Sequence, residues 1–383
     1  MSKLLYIAAV EIKRNKPDGV AKKVMNHVRV FKDVFDTILL CYGENGIEIE
    51  QNGGDEVVAY RKGLHRKFQI YSLALELCKS HQCDYVYIRY PRSDPKFLNL
   101  VKKIHTLGSQ IVIEIPTYPY GLEVPHKAIL KSNIYLCVDK YYRNKLRKYV
   151  QRIVTYSDDP YIWGIQTIQT INGISFDYNR IRHCVDHESI NLISCAYYYE
   201  CHGCDRLIRG IKKYYDKAGD RNIVFHIVGE GSSVPQYKEL VKELKIENHV
   251  IFHGFCTGDK LATIYDISDI GVNSLAIHRL GLKKESTLKT KEYAAKGLPV
   301  ISSYPVDAFS KKDQTKYVHL VPGDDSDICV QEIVNFYNRI YDGDKQIVAN
   351  SIRTASKNVC DMRVTLNPVI NFYMGNRKEE KNE

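Results

Sequence analysis

Residues 286–301 set a hydroxyl pair, a lysine and a carboxylate on successive turns of one short predicted helix. Ser286 and Thr287 open a run of good helix formers beginning at Leu288; Gly297 ends it, and Leu298 to Ile301 read as a buried strand. A helix N-terminus, with unpaired N–H groups and the positive end of its dipole, takes an anion, and Lys289 adds charge one turn in. Glu292 follows on the same helix face. The arrangement suits a diphosphate at the tip and hydroxyl groups against the carboxylate behind it. A capped surface helix with a Lys289–Glu292 ion pair is the competing reading.

Other residues with chemical potential fall just after predicted strands. Gly19, in Pro17-Asp18-Gly19-Val20, lets a backbone approach a phosphate or sugar closely at a strand-to-helix turn, or serves turn geometry alone. Glu114 opens Glu-Ile-Pro-Thr-Tyr-Pro-Tyr, in which two prolines stiffen a loop and Tyr118 and Tyr120 offer flat surfaces to sugar rings. Its carboxylate is a candidate general base or hydroxyl binder, or else a loop-stabilising acceptor. Arg89, in Arg-Tyr-Pro-Arg92, is a candidate for an acceptor phosphate, with a salt bridge to a neighbouring acid as the alternative. His202 begins a loop into a helix, where a protonated imidazole would stabilise a leaving diphosphate; Arg206 lies one turn later. Cys201 and Cys204 have a redox-like or zinc-like spacing without a second ligand pair, which reads as two free thiols. Asp158-Asp159 reads as a helix cap, and no paired carboxylates point to a metal.

The elements that must position these groups alternate. Strands at Leu4–Ala9, Thr37–Tyr42, Tyr85–Ile88 and Ile111–Ile115 separate helices at Gly19–Asp33, Phe68–Cys78, Pro95–Thr106 and about Lys127–Val150, with short strands near Ile153 and Ile168. After the Asn172-Gly173 turn and a polar run, the alternation restarts with a strand at Asn191–Ala196. It continues through helices at Cys204–Tyr215 and Val234–Leu244 and strands at Ile223–Val228 and Val250–Phe252. A helix at Lys260–Tyr265, a strand at Ile270–Asn273 and the Leu288 helix follow; Val318–Val321 and helices near Ser326–Tyr341 and Lys345–Val359 complete it. Such alternation implies parallel sheets with helices on both faces. The expected domains are 1–183 and 184–360, with a helix near 361–375 returning to the first and a charged, disordered tail at 376–383.

A chain of 383 residues suits two domains rather than one core. No apolar run approaches the roughly 18–20 residues of a spanning helix, and the start is too short for a typical signal peptide. Eleven scattered cysteines fit a reducing compartment, so a cytoplasmic location is expected. Residues 1–185 hold 28 Lys+Arg against 18 Asp+Glu, whereas 186–383 hold 27 of each. The whole excess of +10 therefore lies in the first half, as on a surface for anionic lipid or a phosphorylated acceptor; no nucleic-acid motif accompanies it.

Glu292-Tyr-Ala-Ala-Lys-Gly297-Leu-Pro299-Val300, preceded by Ser286-Thr-Leu288-Lys289, resembles the donor-site signature of GT-B glycosyltransferases of family 4, or group 1. It is closest in form to the variant of bacterial capsular and exopolysaccharide enzymes. Asn172-Gly173 resembles that family's interdomain turn. Ile227-Val-Gly229-Glu-Gly231 resembles the loop after the second strand of the donor domain, and Phe252-His-Gly254-Phe255 the segment that meets the nucleobase. Lys284 stands where many members carry a second Glu, with Glu285 one residue off; Ala196 and His202 stand where they carry Arg and Lys. The resemblance implies an α/β GT-B fold, two Rossmann-like domains facing each other across a cleft. It implies a hexosyltransferase-type enzyme, retaining and metal-independent, whose co-substrate is a UDP or GDP sugar and whose acceptor is a polysaccharide or lipid-linked oligosaccharide at the inner membrane face. His202, Lys289 and Glu114 would be catalytic. Gly19, Gly229, Gly231, Gly254, Phe255, Ser286, Thr287, Leu288, Glu292 and Arg206 would bind the nucleotide sugar, and Arg89 and Tyr118 the acceptor. A non-hydrolysing sugar-nucleotide epimerase and a non-catalytic partner subunit are the alternatives.

Overall fold

The computed structural model describes the chain except residues 16–17, 53, 61–64, 119–128, 283–285 and 380–383, and leaves the side chains of 129–134 and 376–379 undescribed. Lys284, Glu285, Pro119 and Tyr120 therefore lie outside the described residues. Two units result, one of residues 1–171 with 362–383 and one of residues 172–361.

The first unit is built on a nine-stranded sheet. Its strands are β1 (Lys3–Glu11), β2 (Asp36–Tyr42), β3 (Gly46–Glu50), β4 (Glu56–Ala59), β5 (Tyr85–Arg89), β6 (Gln110–Ile115), β7 (Arg152–Thr155), β8 (Tyr161–Ile162) and β9 (Ile165–Gln169), in the order β4-β3-β2-β1-β5-β6-β7-β9-β8. The body is parallel; β3, β4 and β8 pair antiparallel at the edges. Those edge strands are short and half-polar, which hides them from a search for apolar runs. Because both faces are covered, β1 is apolar from Leu4 to Val10: Leu5 and Ile7 join one core, and Leu4, Tyr6 and Ala8 the other.

Helices α1 (Gly19–Lys32), α2 (Arg66–His81), α3 (Pro95–Thr106) and α4 (Ile129–Arg143) follow in turn, and α12 (Met362–Glu379) returns from the end of the chain. Met362, Leu366, Val369 and Tyr373 form the stripe by which α12 seats in the second core. Tyr373 stacks on Tyr85 at 4.5 Å and donates to the Val86 carbonyl. The helix thus runs beyond the expected 375 into the segment expected to be disordered. Asp158-Asp159 caps no helix; it leads into β8, where the Asp159 carbonyl accepts from Thr167. Trp163-Gly164 is the two-residue turn between β8 and β9, with φ of 53° and 76°. A bulky residue in that left-handed region costs about 1–3 kcal/mol.

The second unit has six parallel strands, β10 (Ile190–Cys195), β11 (Ile223–Val228), β12 (Val250–Gly254), β13 (Ile270–Val272), β14 (Val300–Ser302) and β15 (Val318–Leu320), in the order β12-β11-β10-β13-β14-β15. Its helices are α5 (Cys204–Asp216), α6 (Val234–Glu243), α7 (Gly258–Asp266), α8 (Leu288–Lys296), α9 (Lys311–Tyr317), α10 (Val330–Ile340) and α11 (Lys345–Cys360). Helix α9 is polar and carries no apolar period in the sequence. Residues 172–183, assigned to the first domain from sequence, pack in this unit. Arg353 donates to the Phe176 and Asn179 carbonyls, and Arg182 to the Ser268 carbonyl and the Tyr341 hydroxyl.

Candidate functional site

In the second unit the strand order reverses between β10 and β13. In an open parallel sheet the crevice at the carboxyl ends of two such strands is the place for a ligand. The loops after these strands are joined: Leu275 N–H donates to the His202 carbonyl at 3.0 Å and Ala276 N–H to the Cys201 carbonyl at 3.1 Å. Gly203, at φ 63°, makes the join possible, since a Cβ there would lie 2.8 Å from that of Ala276.

Helix α8 brings its N-terminus to the same crevice. Tyr293 anchors it, with its ring over Gly271 and its hydroxyl between the Cys195 N–H and the Val272 carbonyl. Gly297, at φ 79°, ends it against Ala349 of α11. Thr287 occupies the N-cap position without a side-chain capping bond; its hydroxyl faces Asn273 and Thr290. The Lys289 ammonium reaches Ser274 Oγ at 3.2 Å, which places it beside the β13 loop. Glu292 is partly buried one turn behind, and its charge acts on Cys195 at the end of β10.

His202 sits beside Lys289, but not as a cation. Burial, then the Lys289 charge, push its pKa down to about 3, so the imidazole is neutral at physiological pH. The Tyr199 N–H lies 3.1 Å from Nδ1, while the Tyr199 carbonyl already accepts from the His202 amide. Nδ1 as acceptor satisfies both groups and leaves the ring proton on Nε2. The expected protonated clamp is thus corrected to a neutral N–H donor.

Several other expected site residues hold structure. Arg206 is fully buried, and its guanidinium donates to the carbonyls of Ser326, Pro322 and Leu275, so it braces the β13 loop rather than meeting a ligand. Ser286 bonds to Asp307, receives the Asn172 N–H and lies 3.0 Å from the Lys291 ammonium. Lys291 is buried and ion-paired with Asp307. This network, which the sequence reading missed, pins the residue before the α8 cap. Gly229 and Gly231 have φ of 123° and 148°, and a Cβ on either would collide with the backbone of Ala196 or Tyr198. Gly254 borders open space, and Phe255 beside it is 58% exposed.

In the first unit, Glu114 is the centre of a buried cluster. Its carboxylate takes the Lys23 ammonium at 2.8 Å, the Arg89 guanidinium at 3.3 Å and the Tyr156 hydroxyl. Burial alone would raise its pKa, but the charges of Lys23 and Arg89 beside it hold it well below the usual carboxylate range. A fully buried carboxylate so held is no general base, and Arg89 is committed to it. Gly19 begins α1, capped by Asp18, and Tyr118 packs on the first core.

A cavity of about 360 Å³ beside α6 is lined by Glu200, Asp205 and Glu239 as well as Arg279, which is already paired with Asp205 and Asp325. That acidic lining repels a diphosphate. Among the described residues no group of three or more His, Cys, Asp or Glu side chains is placed to hold a metal ion.

Residues 190–339 match the family model described as "Glycosyl transferases group 1". No curated protein matches the sequence. Solved structures resemble the chain over its length. A glycosyltransferase from Rickettsia africae is 14% identical with a TM-score of 0.65, covering 97% of each chain. Anabaena Alr3699/HepE in complex with UDP is 12% identical with a TM-score of 0.59, covering 98% of this chain and 100% of that one. Sucrose-phosphate synthase from Thermosynechococcus elongatus is 13% identical with a TM-score of 0.60, covering 100% of both. Residues 190–339 thus form a group 1 glycosyltransferase domain in a chain of GT-B fold, and the protein is a glycosyltransferase.

Proposed function

We propose that this chain moves a sugar from a nucleoside diphosphate sugar to a polysaccharide or lipid-linked oligosaccharide acceptor, retaining configuration and using no resident metal. The observation that carries the reading is the meeting of Lys289, His202 and the α8 N-terminus where the strand order reverses. As the glycosidic bond breaks, negative charge gathers on the diphosphate. The Lys289 ammonium, the first free N–H groups of α8 and the Nε2–H of His202 are donors for it, and Glu292 accepts from sugar hydroxyls. A charge so stabilised needs no divalent cation. HepE has been solved with UDP, UDP and glucose, and UDP-glucose, which makes UDP sugars the first donors to try. The resemblance to capsular and exopolysaccharide enzymes and the basic first half support a membrane-borne acceptor at the cytoplasmic face.

The test is nucleotide release from a panel of UDP and GDP sugars, with and without saccharide acceptors and with a chelator present. Acceptor-dependent release that survives the chelator, with an α-configured product from an α-configured donor, is expected. Conversion of the donor alone would identify an epimerase instead.

A further inference from the structure

We propose that the first unit carries a binding site for an anionic saccharide in the cavity between the end of α4 and the β8–β9 turn. The cavity measures about 500 Å³ and is lined by Tyr141, Asn144, Lys145, Arg147, Trp163 and Gly164. That volume suits one or two sugar rings.

Three observations point to this ligand. The first is the flat aromatic surface. Trp163 is held by Tyr90, 4.9 Å away between ring centroids, and by the Arg143 guanidinium at 5.1 Å, while Tyr141 is largely exposed beside it. Aromatic faces of this kind receive the apolar faces of sugar rings. The second is unspent positive charge. The stretch from Lys140 to Arg152 holds six Lys and Arg and no acid, and of these Arg143 is paired with Asp139. Among the described residues no carboxylate pairs with Lys145 or Arg147; the Lys145 ammonium lies 3.9 Å from the Tyr141 ring centroid, and Gly164 leaves room for the Arg147 stem. Cations facing an aromatic cavity complement carboxylates spaced along a glycan. The third is backbone strain. A two-residue turn of this hand favours Asn-Gly, yet Trp163 stands at its first position with φ of 53°. Strain of that kind marks a residue held for its side chain.

A concave pocket takes a discrete ring better than a flat bilayer does. The chain's glycosyltransferase domain supplies the reason to prefer a saccharide over other anions with flat faces. The site goes beyond the donor reading, and its test reads a different unit, so either fails without the other.

Trp163 is the sole tryptophan of the chain, so its fluorescence reports on this cavity alone. The probe is an oligogalacturonate, titrated into the full-length protein beside maltohexaose, UDP and phosphatidylglycerol vesicles. A saturable change with the oligogalacturonate only is expected, weakened at least about tenfold by Lys145→Glu with Arg147→Glu and by high salt. Trp163→Asn, which suits the turn, should raise thermal stability yet abolish binding measured by calorimetry. A purely structural tryptophan would give the reverse. A response to vesicles would assign the patch to a membrane, and one to UDP to a nucleotide. Either result, an equal response to maltohexaose, an unchanged double variant or no response at all overturns the proposal.

Discussion

In the proposed donor site a charge and a neutral N–H would meet the diphosphate, because burial first and the Lys289 charge second keep the His202 imidazole unprotonated. Three imidazoles, His27 and His226 buried and His202 half-buried, are held neutral mainly by burial, His202 and His27 at about 3 and His226 at about 4. Unfolding returns each to an ordinary value of about 6.5. The unfolded chain therefore takes up protons first as pH falls, so these groups contribute stability fully above about pH 6.5 and lose it progressively toward their folded values. Denaturant midpoints measured from pH 8 to pH 4 should fall below about 6.5, and His27→Phe should flatten the slope. A midpoint that held constant to pH 4 would mean that the imidazoles are open to solvent. At this scale positions are legible in the sequence and partners are not. His202 follows β10 as expected, whereas Glu114 lies within β6 and Arg206 in the first turn of α5, and which neighbours cover them depends on contacts from elsewhere in the chain. Lys23 closes over Glu114 from α1, and the carbonyls of residues 275, 322 and 326 converge on Arg206.

Helix α8 works as a unit because its start is tied down. Asp307, Lys291, Ser286 and Asn172 form one polar network beneath the residue before the cap. Asp307→Asn should cost about 3–5 kcal/mol, since it leaves the buried Lys291 charge without its counter-ion. Replacing both by apolar residues, Lys291→Met with Asp307→Leu, should recover most of that stability while donor affinity stays reduced, because Ser286 is no longer anchored. Chemical denaturation and calorimetry on the two variants check this; full donor affinity in the stable double variant would reduce the network to packing. Helix and strand positions were legible where apolar spacing is strong, as in α1, α5, β10 and β11. The half-polar β3, β4 and α9 were not, because their stability comes from a neighbouring strand or core and not from their own pattern.

Over the whole molecule, two sheets of mostly parallel strands carry unequal charge. The excess of +10 in residues 1–185 predicts that the full chain sediments with anionic vesicles at low salt and leaves them as salt rises, each nearby cation contributing about 1 kcal/mol. Charge reversal of Lys102 and Lys103, both exposed, should weaken this more than two reversals in residues 186–383; no binding at low salt would show the charge to be ordinary surface. The return of α12 to the first unit was foreshadowed by an apolar stripe near the end of the chain, whereas the placement of residues 172–183 depended on Arg182 and Arg353. In the proposed function the α8 N-terminus holds a nucleotide sugar. Calorimetric titration of UDP sugars into the wild type, Glu292→Ala and Lys289→Ala, with turnover measured alongside, tests it most directly. Glu292→Ala should lose about 1.5–3 kcal/mol of donor affinity without unfolding, and Lys289→Ala should lower turnover more than affinity. Unchanged affinity and turnover in both folded variants would place the donor elsewhere.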